Sequence, residues 1–563
     1  MTDTLTPPHA SPFWPPGLPA RVPLPPGSLF ATLQRSAAAR PDHPAIAFYG
    51  GQTSYAALLD ACLRLAGFLR DTCGVARGDR VLICMQNSPQ FVIGYYATLA
   101  IGAVAVPVNP MNMGDELAHI RVDSGARVAI VGIELAPRFT PLRPGLAHLV
   151  VARYADHVAP DFDLRLPDIV RDSRDAAMPA GCIAWADALS APPAVAAEMT
   201  DDELCLLPYS SGTTGRPKAC RHTHGGVKFT AVAQAMWYGF DRDSVVTAFM
   251  PLFHVAAMQA SMNAGIHAGA TLVIIARWDR DLVEPLFARH GVTFWNAAPT
   301  MIVDVLASPD FSGRGFGRLR TLTGGGSTMP AAVARMLHER FGLTFVEGYG
   351  MTETIAPTHL NPPQRAKPQC LGIPIFETYA RVVSPDTLAE VADGEIGEIL
   401  VSGPQIMLGY WNQPAADAEA FVQLDGRRFL RTGDLGYRDA DGYYFAVDRL
   451  KRMINVSGYK VWPAECEAKL YEHPAIRECC VVAAPDSYRG ETVFAFVVLK
   501  PEFRDRVTGE DIASWARGVM AAYKIPRRFA FVDSLPRSGS NKIDWRRLQE
   551  DLQRAGPVTE SRP

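Results

Sequence analysis

Residues 209–224 read YSSGTTGRPKACRHTH, a short segment crowded with hydroxyls, two glycines and a lysine. Hydroxyls and backbone N–H groups held in a turn make a concavity for anions, so the chemistry suggested is phosphate binding. A Walker loop puts four residues between its glycines and ends in Gly-Lys-Ser/Thr at the start of a helix. Here Gly212 and Gly215 stand closer together, and Pro217 separates the glycine from Lys218. Proline has no N–H to offer, which leaves the hydroxyls of Ser210, Ser211, Thr213 and Thr214 to carry much of the binding. Cys220, His222 and His224 alternate and would share one face of an extended chain. They could ligate zinc, but a closed site takes a fourth ligand and none is in sight. Other stretches read blandly when taken alone. EGYGMTE, residues 347–353, is a strand end and turn, Asp434 a turn residue, and Lys542 a solvated lysine in a Gly/Ser-rich loop.

The elements that must position these residues follow from patterning. A chain of 563 residues exceeds one hydrophobic core, so two or more domains are expected. Apolar residues make up 48% and charged residues 20%, the composition of a globular protein. A formal net charge of -3 gives no electrostatic case for a nucleic-acid partner. The ten cysteines form no CxxC pair and Cys479–Cys480 matches no zinc spacing, so a reduced, cytoplasmic setting is expected. The short apolar runs DRVLICM, ARVAIVG, GATLVIIA and VTFWNAAP alternate with helical segments. That order predicts α/β layers with largely parallel sheets.

Residues 28–70 predict two amphipathic helices around a strand pair, with Ser54 before a stripe of Leu58, Leu59, Cys62, Leu65, Ala66 and Leu69. TMPAAVARMLHERFG predicts a helix that carries Val333, Met336, Leu337 and Phe341 on one face and stops at Gly342. After residue 390, short strands with Gly and Asp turns predict a small β-rich subdomain. From residue 450 onward there are 19 Lys+Arg against 15 Asp+Glu, the sign suited to a cap over phosphates. The expected domains are 1–450, with a proline-rich strap over 1–27 lying extended on the surface, and 451–563.

The first thirty residues lack a basic segment followed by an apolar one, so no cleaved signal is expected. FVIGYYATLAIGAVAVPV, residues 91–108, is uncharged and close to bilayer-spanning length. Its grammar predicts otherwise: Asn87 or Ser88 caps a helix with Pro89 just inside it, Gly102 ends it, and AVAVPVN is a buried strand.

Six more stretches join the loop in a recognisable order: MPLFHV at 250–255, GGGSTMP at 324–330, EGYGMTE at 347–353, RTGDLGY at 431–437, DRLKRMINVSGYKVWPAE at 448–465 and LPRSGSNKI at 535–543. Together they resemble the adenylate-forming (AMP-binding) superfamily, in its acyl-CoA synthetase branch, along nearly the whole chain. The resemblance implies a large N-terminal α/β domain of layered, mostly parallel sheets with a small β-rich subdomain, and a small mobile α+β C-terminal domain. It implies that a carboxylate attacks the α-phosphate of ATP, that pyrophosphate leaves, and that the thiol of coenzyme A then displaces AMP. A hydroxyl-lined turn can restrain a triphosphate and later release pyrophosphate, which accounts for the departure from the Walker form.

The same resemblance implies a role for each matched residue. Ser210, Ser211, Gly212, Thr213, Thr214, Gly215 and Lys218 bind the phosphates; Tyr349 meets the adenine face, with Gly348 and Gly350 beside it among the ATP/AMP-binding residues; Thr352 reaches the α-phosphate. Glu353 holds Mg2+, a hard cation that takes oxygen ligands. Asp434 accepts from both ribose hydroxyls, as a carboxylate with two oxygens can, and Arg449 helps hold the ribose. Lys542 neutralises charge that builds during adenylation. Lys451 is the hinge, Gly458, Tyr459 and Lys460 meet coenzyme A, and Val255, Ala256 and Gly325 line the acyl pocket with the catalytic-site residue His254 at its mouth. The chain departs from the family pattern at Ala219 and Cys220, at Asn541 before the lysine, and at Asn455 where some aryl-activating relatives carry lysine.

The amino-acid-activating branch places Asp where His254 stands, so amino acids are disfavoured as substrates. Val255, Ala256, Ala257 and Met258, with FWNAAPT, suit an apolar acyl channel in which the alanines leave room. The proline-rich strap is similar to the N-terminus of bacterial long-chain fatty acyl-CoA ligases. The expected acid is a medium- to long-chain fatty acid, with an aryl or other small acid as the alternative. Loading of a carrier protein and a non-catalytic adenylate-binding role rank lower. The expected partners are small molecules, with room for peripheral membrane contact, and the sequence carries no signal of oligomeric state.

Overall fold

A computed structural model describes residues 11–210, 216–456, 459–486, 490–504, 506–537 and 543–554. Ser211, Gly212, Thr213, Thr214, Gly215, Gly458, Asn541 and Lys542 lie outside the described residues. Helix starts follow the caps written in the sequence. Ser54 accepts a hydrogen bond from the Ala57 N–H at 3.2 Å where helix Tyr55–Gly67 begins. Ser88, not Asn87, caps helix Pro89–Ala100 by accepting from the Phe91 N–H at 3.2 Å. This helix is buried all round, Gly102 turns the chain with a φ of +73°, and strand Val104–Pro107 follows. Among the described residues no helix is long and apolar enough to cross a membrane.

The chain divides into two compact units. The larger comprises Met1–Ala380, Val401–Leu430 and Gly442–Tyr444. The smaller comprises Arg381–Leu400, Arg431–Asp441 and Phe445–Pro563.

Among the described residues the larger unit holds two large sheets and the short strand pair Tyr209–Ser210 and Lys218–Ala219. A nine-stranded sheet runs in the order Ile373–Pro374, His359–Leu360, Phe345–Tyr349, Thr321–Gly325, Phe294–Asn296, Val245–Ala248, Thr271–Ile274, Pro44–Phe48 and Gly51–Ser54. Its six strands from Phe345–Tyr349 to Pro44–Phe48 are parallel. A seven-stranded sheet has Arg80–Cys84 near its centre, flanked in parallel by Val104–Pro107 and Val128–Gly132. Val81 and Ile83 enter one apolar cluster while Leu82 and Cys84 enter another. Burial on both faces is why these parallel strands read as continuous apolar runs rather than as an alternation.

Helix Ala331–Phe341 ends at Gly342, whose φ is +65°. Its Leu337 is fully buried but Met336 is exposed, against the expectation that both share the inner face. Neighbouring residues sit about 100° apart around a helix, and this helix is covered along a stripe narrower than that. The described part of the strap, from Ser11 onward, is pinned rather than merely draped. Trp14 meets Trp237 and Phe376 edge-on, with ring centroids 5.2 and 5.1 Å away. The buried Lys228 ammonium donates to Pro25 O, Gly27 O and Asp201 at 2.9, 2.6 and 2.6 Å.

The smaller unit carries a five-stranded sheet built on the long hairpin Ile476–Asp486 and Gly490–Leu499. Cys479 and Cys480 sit side by side in sequence but enter different apolar clusters, because successive strand residues face opposite ways.

Candidate active site

In an open parallel sheet, ligands gather beyond the carboxyl ends of the strands. Four of the singled-out stretches leave the nine-stranded sheet at that edge. Strand Val245–Ala248 leads to Phe253 and His254, Phe294–Asn296 to Ala297 and Ala298, Thr321–Gly325 to Gly326, and Phe345–Tyr349 to Thr352 and Glu353. Gly325 pairs with Gly348 across two of these strands. A Cβ on Gly325 would run into the Gly348 carbonyl, so glycine there is a condition of the close approach. His254 is half-buried with its ring centroid 4.4 Å from that of Phe253, Val255 is buried and Ala256 exposed.

The turn carrying Thr352 and Glu353 is tied from several sides. His222 bonds through Nε2 to Thr352 O at 2.8 Å, and the Met407 N–H donates to Glu353 O at 2.9 Å. Burial pushes the His222 imidazole down to about 4, so at neutral pH the ring is uncharged and donates through Nε2–H. Ile355 follows with a φ of +43°, an unfavourable region for a β-branched residue and a mark of a turn held by its surroundings. Glu353 is buried, and its Oε1 accepts from the Tyr410 hydroxyl at 3.0 Å.

Tyr410 also reaches the strand pair that flanks residues 211–215. Ser210 pairs with Lys218 in the short strands Tyr209–Ser210 and Lys218–Ala219. Residues 219–221 bond in turn to 408–411: Trp411 N–H to Ala219 O at 2.8 Å, Leu408 N–H to Arg221 O at 2.9 Å, and Arg221 N–H to Gly409 O at 2.9 Å. This pairing lays the Tyr410 ring under the Lys218 ammonium, 5.3 Å from the ring centroid. Asp417 accepts from the Tyr410 N–H at 2.6 Å. Gly409 is required here, since a Cβ on it would strike the Asp417 carboxylate.

In the smaller unit, Asp434 is buried and receives Arg449 Nε at 2.8 Å. Its turn is built on Glu398, which accepts from Arg431 at 2.6 and 3.0 Å and from the Gly433 N–H at 3.2 Å. Lys451 is exposed in the 3-10 turn Leu450–Arg452. Asp448 accepts from the Ala464 N–H at 2.6 Å and pairs with Arg452 at 3.6 Å, tying the chain across Lys451. Tyr459 stacks on Tyr523, centroids 4.8 Å apart, and Lys460 pairs with Asn455 along the hairpin.

Comparison with known proteins decides what this arrangement is. Residues 33–411 match the AMP-binding enzyme family, and residues 465–542 match the AMP-binding enzyme C-terminal domain. The chain belongs to the AMP-binding enzyme family. It is 32% identical to a long-chain-fatty-acid–CoA ligase of Bacillus subtilis over 96% of this chain and 97% of that one. It is 35% identical to a feruloyl-CoA synthase of Amycolatopsis over 90% and 96%. The ATP-bound MatB of Rhodopseudomonas palustris superposes with a TM-score of 0.80 at 26% identity, covering 93% of this chain and 99% of that one. These matches put the protein in the adenylate-forming superfamily, on the acyl-CoA synthetase branch.

In this AMP-binding enzyme Cys220, His222 and His224 go to different partners. The Cys220 thiol is buried and raised by that burial, His222 meets Thr352, and His224 Nδ1 accepts from the Leu29 N–H at 3.3 Å. Two residues that hold the turns at Glu353 and Asp434 went unread in the sequence. Tyr410 in MLGYWNQP carries only the signal of an aromatic beside a glycine, and Glu398 only that of an acid in a strand.

Proposed function

We propose that the protein is an ATP-dependent acid–coenzyme A ligase working through an acyl-adenylate, and that its acid is a medium- to long-chain fatty acid. The observation that carries the ligase reading is the ring of Tyr410, which joins Lys218 at the phosphate-loop stem to Glu353 beyond the sheet edge. The acid-site turn at 253–256 and Gly325 leave the same edge.

In the first half-reaction an oxygen of the carboxylate attacks the α-phosphorus, the bond to the bridging β-oxygen breaks, and pyrophosphate leaves with the electron pair. Ser210, Ser211, Gly212, Thr213, Thr214, Gly215 and Lys218 restrain the phosphates, and Thr352 donates to the α-phosphate. Lys542 balances the charge that develops, a task for a pre-placed cation. Gly348, Tyr349 and Gly350 take the adenine, and Asp434 with Arg449 takes the ribose. In the second half-reaction the thiol sulfur bonds to the acyl carbon, its proton is lost, and AMP departs carrying one oxygen of the original acid. Gly458, Tyr459 and Lys460 receive the coenzyme. Movement of residues 451–563 relative to 1–450 about Lys451 exchanges the two arrangements.

Glu353 fits a magnesium ligand. Mg2+ keeps waters and substrate phosphate oxygens and takes only one or two carboxylates. Among the described residues no group of three or more His, Cys, Asp or Glu is arranged to hold a metal alone, and such an ion needs none. When bound, Mg2+ would neutralise phosphate charge, while Tyr410 keeps the carboxylate oriented.

Fatty acid is supported by the long-chain relative that spans nearly the whole chain and by the small side chains at Ala256 and Ala257. An aryl acid is the second reading, favoured by the feruloyl-CoA synthase at 35% identity. Comparing kcat/KM for a saturated acid series against ferulate and 4-coumarate decides between them. Preference for the saturated acids upholds the first reading, and preference for the aryl acids replaces it. A cytoplasmic location, with peripheral membrane contact where long acids are delivered, accords with this activity.

A further inference from the structure

We propose that Asn87 is a positioning residue for the acid site, clamping across the two sheets of the larger unit the turn that delivers His254 and Val255. With Ser88 capping the following helix, Asn87 is released from that task. It is 4% exposed. Its Nδ2 donates to Ala248 O at 3.0 Å and Met250 O at 2.8 Å, and its Oδ1 accepts from the Leu252 N–H at 2.7 Å. Two carbonyls facing one end and an N–H facing the other fix which way the amide lies.

All three bonds go to residues 248–252, where the chain leaves strand Val245–Ala248 of the nine-stranded sheet. Asn87 itself follows strand Arg80–Cys84 of the seven-stranded sheet. The bonded turn continues without a break into the acid site: the His254 N–H donates to Pro251 O at 3.1 Å and the Met258 N–H to His254 O at 3.0 Å. Backbone groups in this turn have left the ladder, and a buried group without a partner is unfavourable. The clamp therefore selects one course for residues 249–252 and, through it, the direction of the side chains at 254–256. Aspartate, though isosteric, would set a carboxylate against two carbonyl oxygens. Alanine would free the turn.

This inference rests on reading residues 250–256 as the acid site. The test uses the full-length protein with Asn87→Ala and Asn87→Asp, measuring KM for the acid against KM for ATP and coenzyme A. Hydrogen exchange at the Leu252 amide is followed in parallel. Displacing a substrate-positioning element by about 1 Å can cost up to about 100-fold, so the acid KM should rise at least about tenfold while that for ATP stays within about twofold. The Leu252 amide should exchange faster. An unmoved acid KM, or parallel changes in all three substrates, overturns the clamp. Ala256→Trp is measured beside them. If it shifts acid preference and the Asn87 variants do not, the clamp fails and the acid site stands. If neither shifts it, the acid-site reading fails and takes the clamp with it. Should Asn87→Ala not fold, Asn87→Ser carries the same comparison.

Discussion

Removing one oxygen atom tests how Glu353 is held. Tyr410→Phe deletes the hydroxyl that donates to Glu353 Oε1 at 3.0 Å. It keeps the ring under the Lys218 ammonium and the backbone bond to Asp417. A hydrogen bond to a charged acceptor contributes about 1.5–3 kcal/mol. The freed carboxylate recovers part of that from water, so about 1.5 kcal/mol is the expected loss, close to tenfold in an equilibrium or rate. The loss should fall on magnesium-dependent adenylation, because the bond orients the proposed metal ligand and nothing on the acid. Pyrophosphate release is titrated with Mg2+ at saturating acid, and acid KM is measured at saturating Mg2+. The expected result is a half-saturating Mg2+ concentration raised by about tenfold with an unchanged acid KM. An unchanged Mg2+ dependence would mean that Tyr410 packs beside Glu353 without orienting it. A raised acid KM would mean that Glu353 belongs to the acid site instead.

Three further outcomes follow from the same chemistry. Lys542→Ala should slow adenylation by about 3–4 kcal/mol yet largely spare thioester formation from supplied acyl-adenylate; equal loss in both half-reactions removes its assigned role. Lys451→Pro fixes φ in the exposed turn beside the Asp448–Ala464 bond, so acyl-AMP should accumulate while transfer to coenzyme A fails in quenched-flow assays. Burial pushes the Glu347 carboxyl up to about 7 despite N–H donors from Gln369 and Met329 at 3.1 and 3.4 Å. The folded state then keeps a proton that the unfolded chain has released, so stability falls as pH rises from about 4.5 to about 7, by at most about 3 kcal/mol. Buried His222 and His224, pushed down to about 4, and His359, to about 3, tilt the curve the other way. The readout is therefore the wild-type curve minus that of Glu347→Gln, which should slope downward across this window; a flat difference refutes the assignment.

Local chemistry was legible where one short stretch settles the outcome. Ser54 and Ser88 cap helices because the hydroxyl reaches N–H groups of the next turn, and apolar runs became strands because both sheet faces are covered. The ordered motifs singled out His254, Gly325, Thr352 and Glu353, and the fold adds that all four follow strands of one sheet at its carboxyl edge. Contacts across long stretches of chain were not legible. Asn87 meets residues 161–165 positions later, Tyr410 meets a glutamate 57 positions earlier, and Trp14 packs on Trp237. No periodicity marks such pairs, since each depends on where two sheets or turns come to rest. Met336 failed for a smaller reason: a helical stripe shows which residues can be buried, while the covering neighbours decide how wide it is.

The central claim is that the acid's own oxygen attacks the α-phosphate of ATP. It is tested most directly by turning over a carboxylate labelled with oxygen-18 in both positions, with ATP and coenzyme A, and weighing the products. The account predicts one labelled oxygen in AMP, unlabelled pyrophosphate, and a thioester that keeps the other label. Label in inorganic phosphate with release of ADP, or thioester formation without label in AMP, would contradict it.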